Sequence, residues 1–449
     1  MSTSVGDGHT VRGSAPEGGW TTLIDDMVGD RWVNPETGRV VTVPYERIVI
    51  AETLVGREAA LVEGVQLGRR LAVVCDPATH TAMGARIACA LPGADLVILD
   101  HPHADMATVR ALTERLSEAD GVVAVGSGTI NDLCKFVTAQ TGRRYAVFAT
   151  AASMNGYTST TASITLDSGL KVSLPAQAPV GCFVDLGVCA AAPAYLSAAG
   201  FADCLARSVA QVDWWLSHRL LGTSYSDAPY VLQAADELEL NRRAHLLPTG
   251  DIAAHGYLFR VLTLCGLGIA LTGVSNHGSM GEHQISHYVD CFAGARHPGT
   301  LHGQQVGVAA LTMARLQQRM LSGDAPMVGP TPVDPEDMVR RMGPDVAAEC
   351  LVECRAKAFD IEGAASFNAR LAALWPALRS ELAAFVIPVD TMTRLLADAG
   401  GPTTAAGLGL DVGFYREAVM HCREMRNRFS FLDIAADAGL LAGFAEHEA

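Results

Sequence analysis

With 449 residues, 49% of them hydrophobic and 18% charged, the chain carries enough apolar material for two or three domains and too little charge for disorder. Its 48 acidic against 33 basic residues leave a net charge of −15, which excludes nucleic acid and anionic membrane surfaces as main partners. The 44 glycines and 20 prolines exclude a coiled coil or a fibre.

In chain order, residues 1–45 form a Gly/Pro-rich arm, and the opening MSTSVGDGHTVRGSAPEGGW has neither the basic nor the apolar stretch of a secretory signal. A cytoplasmic protein is expected. Between residues 46 and 192 short apolar runs alternate with helical segments: LAVVC at 71–75, ADLVIL at 94–99, GVVAV at 121–125, YAVFA at 145–149 and CFVDL at 182–186. Continuous apolar strands separated by helices predict an α/β domain with a parallel sheet covered on both faces. From residue 193 to 449 the strand signal ends, and helical spacing over 195–221, 228–244, 252–274, 304–321, 335–356, 365–384 and 413–428 predicts an all-helical domain. The most apolar stretch, Val261 to Val274, is too short to span a bilayer and reads as a buried helix. Eleven scattered cysteines without a CxxC read as buried free thiols, the Cys350/Cys354 pair included, since it has no His or second Cys pair nearby.

Gly126-Ser127-Gly128 follows the strand GVVAV and opens a helical run through Lys135. Such a turn lets an anion approach the backbone at the positive end of a helix, or is simply a tight strand-to-helix turn. Two strands precede it, so the dinucleotide fingerprint after a first strand is not matched. Asp76 and Asp100 end earlier strands at the ligand-binding edge. There a carboxylate either accepts ribose hydroxyls, which would favour NAD over NADP, or caps the next helix, and Asp76 is the better candidate. Further on, His283 and His287 share one helical face at i,i+4, and His302 follows with Gly303 beside it to bring that imidazole close. These three histidines suit a divalent metal.

The segments GSGTINDLCKF, ATAASMNGYTS, SGLKVSLPAQAP, GFADCLARSVAQVDWW, GEHQISHYVD, LHGQQVGV and RNRFSFLDIA, in this order, resemble the sn-glycerol-1-phosphate dehydrogenase family, from about residue 45 to the end. That family belongs to the iron-containing alcohol dehydrogenase and dehydroquinate synthase superfamily, with a nucleotide-binding α/β domain followed by a helical metal-binding domain. The resemblance implies Asp203, His283 and His302 as ligands of one divalent metal (Zn, Ni, Fe or Mn), with His287 as orienter or proton relay beside them. It places Asn131, Asp132 and Lys135 with the GSG turn at the pyrophosphate and nicotinamide of NAD or NADP, and Thr150 and Ser153 along the same cleft. The implied reaction interconverts sn-glycerol 1-phosphate and dihydroxyacetone phosphate, or a related pair. The expected partner is thus a small, phosphorylated substrate, and a homo-oligomer is expected. A dehydroquinate-synthase-like cyclase, or a cyclitol dehydrogenase, is the alternative; Asp203 weighs against the cyclase, which usually carries Glu there.

Two departures bear on substrate. Asn155 stands beside the expected substrate site where the family usually has Asp, and Ser275-Asn276-His277 replaces Ser-Arg-Pro. The loss of an arginine at 276 predicts weakened phosphate contact, which Asn276→Arg would restore.

Overall fold

The computed structural model describes residues 15–448, so the first fourteen residues of the predicted arm lie outside the described residues. Six parallel strands form the main sheet: β1 Arg47–Ala51, β2 Leu71–Cys75, β3 Asp95–Ile98, β4 Gly121–Gly126, β5 Arg144–Ala149 and, after a hairpin, β8 Gly181–Asp185. They lie in the order β1-β8-β5-β4-β2-β3. The central strands β4 and β8 are buried at every position, as their unbroken apolar runs require when helices cover both faces, whereas the edge strand β3 buries only Val97.

From β2 the chain continues outward to β3, while from β4 it continues the other way to β5. The carboxyl ends of these neighbouring strands therefore flank a topological switch point, the place where open α/β sheets bind ligands. Asp76 follows β2 and Ser127 follows β4, so the two sequence candidates bracket this crevice.

The hairpin β6 Thr161–Thr165 and β7 Lys171–Pro175 is antiparallel and separate from the main sheet. It was not anticipated from the sequence. Beyond residue 193 the described residues form only helices and connecting turns, which agrees with the expected all-helical second half. The predicted helix over 195–221 is two helices, Ala194–Leu205 and Arg207–Leu221, and that over 335–356 is interrupted at Gly343, where a φ of +78° ends Pro335–Met342 before Pro344 starts the next.

The Ile252–Thr272 helix is long and apolar enough to cross a membrane, but 89% of its most apolar window is buried inside the fold. Part of its cover comes from the arm. Trp20 packs edge-on against Tyr257 with ring centroids 5.3 Å apart, and lies so close to Gly256 that an added methyl would overlap the indole. The Arg260 guanidinium donates to the Trp20 carbonyl and pairs with Asp236 at 2.9 Å. Trp20, Ile24, Met27, Val43 and Tyr45 thus belong to the main core, where Ile24 and Met27 are fully buried.

Candidate active site

A cavity of about 470 Å³ opens where the sheet's carboxyl edge, the hairpin and the helical half meet. Ser127, Gly128, Thr129 and Asp132 line it at one end; Asp203, His283, His287 and His302 line it at another. The motifs separated along the chain therefore face a common space.

At the sheet end, the Gly128–Thr141 helix begins with Ser127, whose side chain makes no capping bond. The first amides of this helix stay available, which with the positive end of the helix makes an anion-binding terminus. Two glycines differ here in purpose. A methyl on Gly126 would come within 2.6 Å of Ile130 Cβ, so this glycine serves packing, whereas a methyl on Gly128 would meet only the flexible Met154 at 3.6 Å, so its face stays open toward the cavity. Ser153 also lines the cavity, while Thr150 is buried with its amide bonded to the Gly126 carbonyl at 3.2 Å.

Two of the expected cofactor contacts have protein partners of their own in the structure. Lys135 has no exposed surface; its ammonium donates to the carbonyls of Gly156 at 2.5 Å and Thr161 at 3.0 Å, with Asp132 at 3.5 Å. Asn131 is likewise buried and donates to the same Gly156 carbonyl at 3.3 Å. A lysine two turns into this helix points at the loop before the hairpin, where its charge fastens Gly156 and Thr161. Asp76 caps the next helix, its carboxylate accepting from the Thr79 amide at 2.8 Å, and does not line the cavity, while Asp100 projects into solvent.

At the helical end, Asp203 sits in the last turn of Ala194–Leu205 and His302 opens the helix to Ser322. These two helices pack backbone to backbone: a methyl on Gly303 would overlap the Ala199 carbonyl, whose carbon lies 2.8 Å away. The absence of a side chain at 303 thus lets His302 approach Asp203. Among the described residues no three ligand-type side chains are already drawn together at metal-binding spacing. The three rings of His283, His287 and His302 nevertheless have centroids 5.1 to 6.3 Å apart, and His283 Nε2 faces Asp203 Oδ1 at 3.6 Å.

Hydrogen bonds decide which lone pairs face the cavity. Asp203 Oδ2 accepts the Asn155 amide at 3.0 Å, whereas Oδ1 is buried without a hydrogen-bond partner. His283 Nδ1 donates to the buried Glu282 carboxylate at 2.8 Å, leaving Nε2 as the ligand atom. Ser286 Oγ donates to Gln305 Oε1 and, with its proton so engaged, must accept from His302 Nδ1 at 2.9 Å; His302 Nε2 is then also a free lone pair. One carboxylate oxygen and two imidazole nitrogens are the donor set a Zn, Ni or Fe ion prefers, and an orphaned buried carboxylate oxygen costs free energy until a cation meets it. The three residues fit a divalent metal.

His287 differs. Arg426 can only donate, and its guanidinium lies 2.8 Å from His287 Nδ1, so the ring's proton resides on Nε2. Burial, followed by Arg426, holds this imidazole well below its usual pKa, hence neutral. Burial would raise Asp290, but the Lys171 ammonium at 2.7 Å, helped by His297 and His302, holds its carboxyl well below the usual range. Glu282, Ser286, Lys171, Asp290, Arg426 and Arg428 were not singled out from the sequence. Lys171 lies within SGLKVSLPAQAP, and both arginines lie within RNRFSFLDIA, so the signal was present without a placement.

Asn155 lines the cavity, its amide on Asp203 and its side chain reaching Cys265 Sγ at 3.5 Å. Asn276 does not line it. It borders a separate cavity of about 300 Å³ with Lys357, Phe359 and Arg428, so the expectation that an arginine at 276 would reach the substrate's phosphate is not supported by its position.

A family model described as iron-containing alcohol dehydrogenase matches residues 49–193. A glycerol-1-phosphate dehydrogenase [NAD(P)+] of Methanoculleus marisnigri is 32% identical over 267 residues, covering 59% of this chain and 73% of that protein. One from Bacillus velezensis is 28% identical over 389 residues, covering 84% and 86%. Among solved structures, an alcohol dehydrogenase from Oenococcus oeni superimposes with a TM-score of 0.60 at 16% identity, covering 90% of this chain and 98% of that one. Glycerol dehydrogenase from Schizosaccharomyces pombe gives 0.58 at 16%, covering 90% of each. These structures share the two-part architecture of a parallel-sheet domain and a helical domain.

Proposed function

Because the chain belongs to the glycerol-1-phosphate dehydrogenase family of iron-containing alcohol dehydrogenases, we propose that it interconverts sn-glycerol 1-phosphate and dihydroxyacetone phosphate with NAD(P)(H) and one divalent metal held by Asp203, His283 and His302. The observation that carries the metal site is the unpartnered Asp203 Oδ1 facing His283 Nε2 in a cavity that also contains His302. In reduction, a hydride and a proton are added across the C2 carbonyl, so one NAD(P)H and one proton are consumed per alcohol formed. Bound together, the nicotinamide supplies the hydride and the metal supplies Lewis acidity toward the carbonyl oxygen.

The chain's own groups do the rest. The open terminus at Ser127 and Gly128 receives the pyrophosphate, and Asp76 at the switch point is the candidate for the ribose. Glu282 fixes the His283 ring and Ser286 fixes the His302 ring, so neither needs reorientation on binding. His287 presents Nε2–H, which can donate to the substrate oxygen and pass a proton to it. Residues 46–192 then act as the nucleotide-binding unit and 193–449 as the metal-binding unit, with Lys171 of the hairpin reaching across. A soluble, cytoplasmic homo-oligomer completes the reading, checked by light scattering and fractionation.

The test is metal analysis of protein purified without chelator, together with steady-state oxidation of NADH and NADPH by dihydroxyacetone phosphate. Stoichiometric consumption of reduced nicotinamide supports the reading, and turnover with only catalytic NAD would show a cyclase instead. Asp203→Ala, His283→Ala and His302→Ala should each lose metal and activity together; full metal content in any of them removes that ligand from the site.

A further inference from the structure

At the metal end, Asp203 is itself an anion and Lys171 already has its countercharge in Asp290. The loop between the Ile252–Thr272 and Gly281–Phe292 helices offers a different chemistry. Its Ser275 and Ser279 line the cavity. Arg428 donates to Ser275 Oγ at 2.8 Å, to Ser279 Oγ at 2.8 Å, and to the Ser279 carbonyl.

A guanidinium has no acceptor, so both hydroxyl oxygens are accepting and each keeps its own proton to give. Neither serine hydroxyl donates to a protein group among the described residues. Arg428 has no carboxylate at ion-pair distance among the described residues, and Arg426 nearby has none either. Two largely buried guanidinium groups with no carboxylate in direct contact are costly until an anion arrives.

We propose that Ser275 and Ser279 bind the phosphate of the substrate, donating their hydroxyl protons to its oxygens, with Arg428 as the positioning residue that orients both and supplies the countercharge. This rests on the reading of the substrate as a phosphorylated ketone. It also relocates phosphate recognition: the arginine missing at 276 is not required, since the charge comes from a segment about 150 residues further along the chain, as the sequence separation of 149 between Ser279 and Arg428 shows.

The test compares dihydroxyacetone phosphate with dihydroxyacetone on the metal-loaded enzyme and follows binding of inorganic phosphate by calorimetry. In Ser275→Ala/Ser279→Ala the ratio of kcat/KM for the phosphorylated over the unphosphorylated ketone should fall by roughly 10- to 100-fold, the range of one or two hydrogen bonds to a charged group, mostly through KM. Inorganic phosphate should bind the wild type and not the double variant. Arg428→Lys, which keeps the charge but cannot reach both hydroxyls in one plane, should give an intermediate ratio. Metal content should hold, and the ratio between the two ketones cancels any general loss from leaving Arg428 two acceptors short. An unchanged ratio with unchanged phosphate binding overturns the proposal, as does an equal loss with both ketones. If the wild type reduces neither ketone, the substrate reading fails separately. Phosphate binding that is lost in the double variant would still support the subsite in that event.

Discussion

Gly303→Ala adds one methyl group at the contact between the Ala194–Leu205 helix, which carries Asp203, and the helix that begins at His302. The added carbon would lie 2.8 Å from the Ala199 carbonyl carbon and 3.1 Å from its Cα, and closer still to the oxygen. Carbon–carbon contacts optimise near 3.5–4.0 Å, so relief requires the backbones to separate by about 1 Å. Backbone cannot swing aside as a side chain can. Overpacking of this kind costs about 1–3 kcal/mol, and alanine's better helix propensity, at most about 1 kcal/mol in a helix interior, is reduced in a first turn. Metal sites tolerate about 0.2 Å in ligand distances, so a shift of about 1 Å at His302 should weaken metal binding much more than it lowers stability. The assay is competition for Zn or Ni against a fluorescent chelator, with thermal unfolding of the chelator-treated protein alongside. Gly443→Ala, where an added methyl meets nothing, is the control. Wild-type metal affinity in Gly303→Ala would refute the argument that this glycine sets the His302 to Asp203 spacing.

Gly128→Val should raise KM for NAD(P)H at least tenfold with unchanged metal content, because the position is open in the fold and closed only against a cofactor; equal KM values would move the pyrophosphate elsewhere. Asn276→Arg should give no gain in kcat/KM with dihydroxyacetone phosphate, since position 276 borders a separate cavity and not the one Ser275 and Ser279 line, and a severalfold gain would restore the phosphate role for position 276. Asp76→Ser should relax any preference for NADH over NADPH if the carboxylate meets the ribose; an unaltered ratio leaves Asp76 as a helix cap alone. Iodoacetamide on the native protein should modify the exposed Cys89 first, while burial, which pushes the Cys75 and Cys265 thiols up to about 11, protects those two; early labelling of either, read by mass spectrometry, contradicts that burial.

The central strands were legible because strands buried on both faces cannot be anything but apolar, and LAVVC, GVVAV and YAVFA show it. The hairpin was not. TASIT and KVSLP mix polar and apolar residues because one side faces the cavity, where Ser163, Thr165, Lys171 and Ser173 need hydroxyls and charge. Asp203, His283 and His302 were recoverable from motif order, and their convergence on one cavity depends on glycine spacing that sequence merely hints at through Gly303. The carbonyl partners of Lys135 were not legible, because a lysine after a GSG turn looks alike in sequence whether it meets a phosphate or two carbonyls. Arg428 escaped notice since its partners, Ser275 and Ser279, lie far away in the chain, and only a folded loop brings them together.

The docking of Trp20 has a practical side. Composition suggests 45/46 as a natural place to shorten the chain, but Trp20, Ile24, Met27, Val43 and Tyr45 are part of the main core. A protein begun at residue 46 would leave Gly256 and Tyr257 facing water and Arg260 without its carbonyl acceptor. It would also uncover a helix apolar enough to enter a bilayer, and the indole alone covers an area on the order of 150–250 Å². Such a fragment would be sticky, prone to inclusion bodies and to capture by detergents or lipids, and affinity tags are better placed ahead of the arm than in place of it.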